Sequence, residues 1–173
     1  MKAYLAAPIF NEHQLAIVAG LKNMLEVFSF QVFSPYEASQ GIWKGRAPKD
    51  CAPEERAEVL MGNVENLNYP TELLFAWVGG TEDGRVDTGV CWEMGYFHCR
   101  KRMGNPGFAL AYIHPDDQRQ AMNLMLAGTV DAVVHGPADA SDALALYTTA
   151  GPSAVVHKYH PDKIIAHERE PIV

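Results

Sequence analysis

Cysteine is scarce in this sequence, and long apolar runs are absent. The three cysteines, Cys51, Cys91 and Cys99, are odd in number and lack the spacing of metal ligands. No apolar stretch approaches the ~20 residues that a membrane-spanning helix needs. Met1 leads directly into a strand-like segment rather than into a signal peptide. We therefore expect a protein of the reducing cytoplasm that does not span a membrane.

Positive charge is also in short supply. The chain has 14 lysines and arginines against 21 aspartates and glutamates, so its formal net charge is −7. Such a chain cannot neutralise a run of phosphates, which argues against nucleic acid as a partner. The seven histidines are scattered, and no carboxylate or cysteine is placed to complete a metal site around the nearest pair, His157 and His160. We expect no metal.

Strand-like and helix-like segments alternate along the 173 residues, a length suited to one domain spanning 1–173. Strands are predicted at residues 2–8, 30–33, 73–78, 108–113 and 131–134. Helices are predicted to begin near Asn11, Pro53, Asp87, Gln118 and Asp139. This alternation is typical of a five-stranded parallel α/β sheet with helices on both faces. The tail, residues 151–173, is the least regular part, and we expect it to lie loose or to cross to a neighbouring subunit.

Residues 36–52 show no regular period. A stretch of this length in a compact domain is usually functional or mobile. It contains Tyr36, Gln40, Trp43 and Lys44, whose aromatic and amide groups could stack on a planar ligand and hydrogen-bond to it. The alternative is that Trp43 only fills the edge of the core.

The segment from Asp87 to Tyr96 carries the main functional prediction. It follows a buried strand and a polar Gly-rich loop, and in an open α/β sheet that junction borders the ligand crevice. Glu93 would lie about a turn and a half into the helix, where the helix dipole favours an ionised carboxylate. Such a group, partly buried, is a candidate nucleophile or base. The basic residues 100–102 are expected to cap the same helix at its carboxyl end.

Two glycines flank the candidate nucleophile. Gly89 and Gly95 lack a Cβ, so a ligand or another stretch of backbone can approach Glu93 closely. The alternative interpretation is structural: Asp87 or Thr88 caps the helix, and Glu93 is one of its solvated residues.

Three segments resemble motifs of the nucleoside 2-deoxyribosyltransferases, in the family's order. Residues 4–10, Tyr-Leu-Ala-Ala-Pro-Ile-Phe, resemble the end of the family's first strand. Residues 87–95 are similar to its D-x-G-x-x-x-E-x-G motif, and residues 123–125, Asn-Leu-Met, resemble a third segment. The resemblance implies a flavodoxin-like doubly wound domain and an enzyme that moves 2-deoxyribose between nucleobases without a cofactor.

The resemblance also implies roles for individual residues. Glu93 matches the nucleophile that forms a covalent deoxyribosyl-enzyme, which implies retained configuration and ping-pong kinetics. Tyr4 matches the tyrosine that orients this carboxylate, and Asp87 matches an aspartate that contacts the nucleoside. Asn123 and Met125 match residues that are delivered into the site of an adjacent subunit, so a homo-oligomer is implied.

The groups that meet the nucleobase are less well defined. Asn63 is the best positional match to the acidic residue with which the family protonates the leaving base, and Glu65 and Asn66 are alternatives. An amide is not an acid, so base protonation is the weakest match. We expect Gln40 or its neighbours to contact the base edge and Phe10 to stack on the base.

Other functions are compatible with the same pattern. A nucleoside 5′-monophosphate N-glycosidase would share the fold and the glutamate, but it should carry a phosphate cradle where residues 6–10 read Ala-Ala-Pro-Ile-Phe. The phosphoribohydrolases that resemble lysine decarboxylases have a P-G-G-x-G-T-x-x-E motif, which Gly79-Gly80 and Thr88-Gly89 match only loosely. A non-catalytic nucleotide-binding or partner-binding module is the third alternative, because fold does not fix function.

Overall fold

Five parallel strands form the central sheet. The computed structural model describes residues 1–46, 48–68, 70–79, 86–117 and 124–161. The strands are β1 (Lys2–Ala6), β2 (Gln31–Phe33), β3 (Leu73–Trp77), β4 (Phe108–Ile113) and β5 (Ala132–His135). They are ordered β2-β1-β3-β4-β5, and every neighbouring pair is parallel. This is the strand order of the flavodoxin-like doubly wound fold, so the predicted fold class is confirmed.

Helices connect the strands and cover both faces of the sheet. They are α1 (Glu12–Val27), α2 (Pro35–Trp43), α3 (Pro53–Leu67), α4 (Thr88–Arg102), α5 (Leu124–Ala127), α6 (Gly136–Ala150) and α7 (Pro152–Tyr159). In the described part of the chain, none of them is both long and apolar enough to cross a membrane.

The core has two halves, because successive side chains of a strand point to opposite faces of the sheet. Leu5 and Phe75 pack on one face beneath α1, α6 and α7. Tyr4, Ala6 and Leu74 pack on the other face beneath α4. The side chain of Tyr4 therefore points towards the helix that carries the candidate nucleophile.

The stretch 36–52 is more regular than predicted. Residues 35–43 form α2, which begins with Pro35 at a position where its missing N–H is not needed. Only Ser39 of this helix is fully buried, so the apolar periodicity by which a helix is recognised is weak. The helix ends where Lys44 and Gly45 adopt positive φ angles of 49° and 77°.

The carboxyl-terminal expectation is wrong for residues 152–159. Gly151, with a φ of 85°, reverses the chain after α6 and allows α7 to pack on the same face of the sheet. Val155 is fully buried there, while Lys158 and Tyr159 both donate hydrogen bonds to Asp142 of α6, at 2.9 and 2.8 Å. Residues 162–173 lie outside the described part of the chain.

Two further helix predictions have mixed outcomes. The helix predicted from Gln118 falls mainly on residues 118–123, which lie outside the described part, and α5 covers its end. The helix predicted from Asp139 exists as α6 but begins earlier, at Gly136, directly after β5.

Arg100 does not act as the simple helix cap predicted for it. Its side chain is buried, and its guanidinium donates hydrogen bonds to the backbone carbonyls of Leu67 (2.6 Å), Thr71 (2.7 Å) and Pro106. These carbonyls belong to the end of α3 and to the segments that enter β3 and β4. One side chain thus joins three segments at the amino edge of the sheet.

We predict that Arg100→Met lowers the free energy of unfolding by about 3–5 kcal/mol, because it leaves these carbonyls without their charged donor. The matched control is Arg102→Met, the same substitution at an exposed position of the same helix. Urea unfolding of both variants tests this. Equal stabilities of the two variants would contradict the role assigned to Arg100.

Candidate active site

A cavity of about 160 Å³ lies where β1 ends and α4 begins. It is at the carboxyl edge of the sheet, at the position where the strand order reverses between β1 and β3. Open α/β sheets bind their ligands at this position. Four segments line the cavity: the turn after β1 (Ala7, Ile9, Phe10), α2 (Pro35, Trp43), α3 (Val59, Asn63) and the start of α4 (Asp87, Gly89, Val90, Glu93).

A larger cavity, of about 330 Å³, lies at the opposite edge of the sheet. Its lining is mostly apolar and includes Pro70, Pro106, Phe108, Tyr147 and Pro152. Volume alone would favour this larger cavity as the active site. We assign the site to the smaller cavity, because that cavity is at the ligand-binding edge and contains a buried carboxylate.

Glu93 lines the smaller cavity and is contacted there by Tyr4 of β1. The hydroxyl of Tyr4 donates a hydrogen bond of 2.5 Å to Oε1 of Glu93, across 89 positions of sequence. Tyr4 is fully buried and Glu93 is 8% exposed. Glu93 is therefore not a solvated helix residue, so that part of the structural alternative is wrong, whereas its other part, a cap by Asp87, is confirmed.

Burial sets the proton affinity of this pair. It raises the pKa of Glu93 to about 7; the hydrogen bond from Tyr4 acts in the opposite direction, and the nearby charge of Asp87 adds to the increase. Burial and the adjacent carboxylate also raise the pKa of Tyr4 far above its ordinary value, so Tyr4 remains the donor. The expectation that the helix dipole keeps Glu93 ionised needs correction: near pH 7 a substantial fraction of Glu93 is protonated.

Asp87 is both a helix cap and a wall of the cavity. Its Oδ1 accepts a hydrogen bond of 3.0 Å from the backbone N–H of Val90 and so caps α4. A Cβ on Gly89 would lie 2.9 Å from the same oxygen. Gly89 therefore leaves room for the Asp87 carboxylate. Outside the backbone of its own helix, no described residue has a heavy atom within 4 Å of the position that a Cβ on Gly95 would take, so crowding by these residues does not explain that glycine.

A capping box at the start of α1 fixes the backbone next to the cavity. Gln14 accepts hydrogen bonds from the N–H groups of Phe10 (2.6 Å) and Asn11 (3.2 Å), and its own N–H donates to Asn11 Oδ1 (2.9 Å). The predicted start of this helix near Asn11 is confirmed. The ring of Phe10 is held at the cavity with 70% of its surface exposed.

The structure separates the candidates for contact with the base. Asn63 lines the cavity from α3. Glu65 is exposed on that helix, and the amide of Asn66 donates to the carbonyl of Gly62 at 2.9 Å. Of the three, Asn63 is the one that reaches the site.

Helix α2 contributes Trp43 rather than Gln40. Gln40 is exposed and is not among the described residues that line the cavity. Trp43 lines it, and its indole Nε1 is buried without a hydrogen-bond partner in the described part of the chain. The sequence drew attention to both residues, but without the helix it could not decide which of them faces the site.

Of the two residues expected from a neighbouring subunit, Met125 is the one that lies in the described part of the chain. Met125, on α5, is 83% exposed and is not among the described residues that line it. Asn123 lies outside the described residues.

One contact near the site had no local sequence signal. The indole N–H of Trp77, at the end of β3, donates a hydrogen bond of 2.7 Å to Asp117, which follows β4. Gly79 has a φ of 157°, and a Cβ there would overlap the Asp117 side chain. A residue with a side chain at position 79 would therefore collide with Asp117, which accounts for the glycine.

Comparisons with known proteins agree with the motifs. The family model described as nucleoside 2-deoxyribosyltransferase matches residues 3–129. A solved structure with a TM-score of 0.65 is the 2-deoxyribosyltransferase of the psychrotolerant bacterium Bacillus psychrosaccharolyticus, described as a biocatalyst for the synthesis of antiviral and antitumoral nucleosides. It is 25% identical, and the alignment covers 82% of this chain and 91% of that one. A comparison with curated proteins gives no significant match.

We predict that Glu93→Gln stabilises the protein increasingly as the pH rises. The folded-state pKa of about 7 exceeds the ordinary value of 4.5, so ionising Glu93 costs stability as the pH rises through this interval. Between pH 5 and pH 8 the free energy of unfolding of the variant should increase by roughly 2–3 kcal/mol relative to that of the wild type. Urea unfolding at both pH values tests this. The control is Glu65→Gln, an exposed glutamate, and a pH-independent difference for Glu93→Gln would refute the raised pKa.

Proposed function

The chain belongs to the nucleoside 2-deoxyribosyltransferase family, and from this premise we propose that it transfers 2-deoxyribose between nucleobases through a covalent intermediate on Glu93. One observation carries the proposal: a buried glutamate, held by a buried tyrosine, lies at the ligand-binding edge of the sheet.

The proposed reaction has two displacements at the anomeric carbon. In the first, a carboxylate oxygen of Glu93 bonds to this carbon while the N-glycosidic bond breaks, and the electron pair of that bond leaves with the base. In the second, a nitrogen of another base displaces Glu93 from the face that the first base left, so configuration is retained. The incoming base gives up the proton of this nitrogen to water, which balances the proton that the first base takes up. Positive charge develops on the sugar in both transition states, and the Glu93 anion stabilises it.

Tyr4 has two effects in this scheme. It occupies Oε1 of Glu93, so we assign the attack to the other oxygen, Oε2. Its hydrogen bond also lowers the pKa of Glu93 against the effect of burial, which enlarges the reactive, ionised fraction at neutral pH.

The cavity lining favours a nucleoside over a nucleotide. The turn after β1 contributes Ala7, Ile9 and Phe10, and no lysine or arginine is among the described residues that line the cavity. A phosphate would meet the carboxylates of Asp87 and Glu93 without a compensating cation. This supports the transferase over the 5′-monophosphate N-glycosidase.

We assign recognition of the base to Phe10 and Asn63. Phe10 presents an exposed ring for stacking, and Asn63 presents an amide that can donate to and accept from the base edge. Because Asn63 cannot supply a proton, we propose that the leaving base takes its proton from water. Gln40 can contribute only to a base that extends beyond the described cavity.

We further propose a homo-oligomer in which Asn123 and Met125 complete the site of a neighbouring subunit. The strong exposure of Met125 supports this, because large apolar side chains are enriched at interfaces. Nucleotide salvage is the proposed role. The cytoplasmic location stays a prediction.

The direct test is an incubation with a 2-deoxyribonucleoside, with and without a second free base, followed by separation of the products. We expect a new nucleoside only when the second base is present, and a loss of at least roughly 1,000-fold in rate for Glu93→Gln. Glu58→Gln, an exposed glutamate of α3, is the matched control and should retain full activity. Release of free base at the same rate with or without acceptor would instead identify a hydrolase, and no turnover would favour a binding module.

The pH dependence tests the pairing with Tyr4. In the wild type, kcat/KM should increase with pH and level off above about pH 7, as Glu93 ionises. In Tyr4→Phe the hydrogen bond that lowers the pKa of Glu93 is lost, so the acidic limb should move to higher pH. Phe33→Leu serves as the packing control, because it removes the ring whose centroid lies 5.3 Å from that of Tyr4. It should leave the pH midpoint of the acidic limb unchanged. An unshifted limb in Tyr4→Phe would contradict the proposed coupling.

A further inference from the structure

Arg46 folds back onto the carboxyl end of α2. The left-handed residues Lys44 and Gly45 turn the chain so that the N–H of Arg46 donates to the carbonyl of Trp43 at 2.9 Å. Its Nε donates to the same carbonyl at 3.1 Å, and its Nη2 donates to the carbonyl of Ile42 at 3.0 Å. A guanidinium is favourable here because the carboxyl end of a helix carries partial negative charge.

The same guanidinium holds the amino end of α3. Its Nη1 and Nη2 donate to the two carboxylate oxygens of Glu55 at 3.1 and 2.6 Å, a bidentate arrangement. Glu55 lies in the first turn of α3, where negative charge is favourable, and also accepts a hydrogen bond of 2.8 Å from the N–H of Ala52. One ion pair therefore joins the end of one helix to the beginning of the next.

Both joined helices contribute side chains to the site. Trp43 is the residue whose carbonyl Arg46 holds, and Asn63 lies two turns beyond Glu55 on α3. The buried indole N–H of Trp43 lacks a hydrogen-bond partner among the described residues, and burial of an unpaired donor is unfavourable. Without a restraint on the end of α2, a movement of Trp43 towards water would lower the free energy, because water could accept a hydrogen bond from the indole N–H.

We propose that Arg46 and Glu55 form a positioning pair that holds α2 and α3 together as one wall of the active site and so sets Trp43 and Asn63 for substrate binding. The two side chains are 40% and 32% exposed, and ion pairs with such exposure contribute little to overall stability. The effect therefore belongs in substrate binding rather than in the stability of the fold. Neither side chain contacts the reacting atoms.

The test compares Arg46→Ala, Arg46→Lys and Glu55→Gln with Lys158→Ala. The last variant removes a similarly exposed ion pair, with Asp142, that joins α6 to α7 on the other face of the sheet. For Arg46→Ala we expect a rise of about five- to tenfold in KM for the nucleoside, with kcat changed less than about twofold. For Arg46→Lys we expect a smaller rise in KM, because an ammonium keeps the charge but lacks the planar guanidinium that binds both carboxylate oxygens. Glu55→Gln should also raise KM by a smaller factor than Arg46→Ala does. Lys158→Ala should have the KM and kcat of the wild type.

The KM measurement rests on the proposed function, so a second measurement tests the pair independently. The fluorescence of Trp43 is obtained as the difference between a protein and its Trp43→Phe counterpart, in the wild type and in Arg46→Ala. We expect Trp43 to emit at longer wavelength and to be quenched more by acrylamide once Arg46 is lost. Unchanged Trp43 emission would overturn the proposal even if the enzyme is active. A fall in kcat and melting temperature together, with KM unchanged, would also overturn it. Absence of any turnover, with Trp43 still responding, would leave the positioning pair standing and count against the proposed reaction alone.

Discussion

The hydrogen bond between Tyr4 and Glu93 is the constraint around which the candidate site is built. Each group is buried, and a buried polar group without a partner is costly, so each accounts for the presence of the other. The bond can form because β1 is an interior strand, between β2 and β3, and α4 covers the face to which Tyr4 points. Strand order, sheet face and helix position thus all contribute to one contact of 2.5 Å.

The environment of this pair reconciles two demands on the carboxylate. Burial makes the Glu93 anion reactive, because water no longer solvates it, but burial also favours its protonated form. The hydrogen bond from Tyr4 opposes that second effect, so the pKa lies at about 7 rather than higher. The charge of Asp87 adds to the increase in the pKa of Glu93, and its carboxylate is fixed by its own bond to the amino end of α4, where Gly89 leaves space for it.

Much of the fold could be predicted from the sequence, because buried parallel strands are nearly continuous apolar runs and their positions survive in the pattern. Helix α2 was missed because it buries little of its surface, and α7 was missed because its docking depends on the turn at Gly151 and on Asp142 of another helix. In the site, short motifs identified Glu93 and Tyr4. The choice of Trp43 over Gln40, the burial of Arg100 and the contact of Gly79 with Asp117 depend on residues distant in sequence, for which a single sequence has no signal.

The central claim is that Glu93 forms a covalent bond to the sugar rather than acting through water. The most direct measurement is a single turnover with enzyme in excess over a 2-deoxyribonucleoside and no acceptor base, quenched in acid within the first turnover and analysed by peptide mass spectrometry. The account predicts that the peptide containing Glu93 gains the mass of one deoxyribosyl group as base is released, and that a free base added before the quench removes this mass and yields a nucleoside. Release of base with the Glu93 peptide unmodified at every time point would contradict the account.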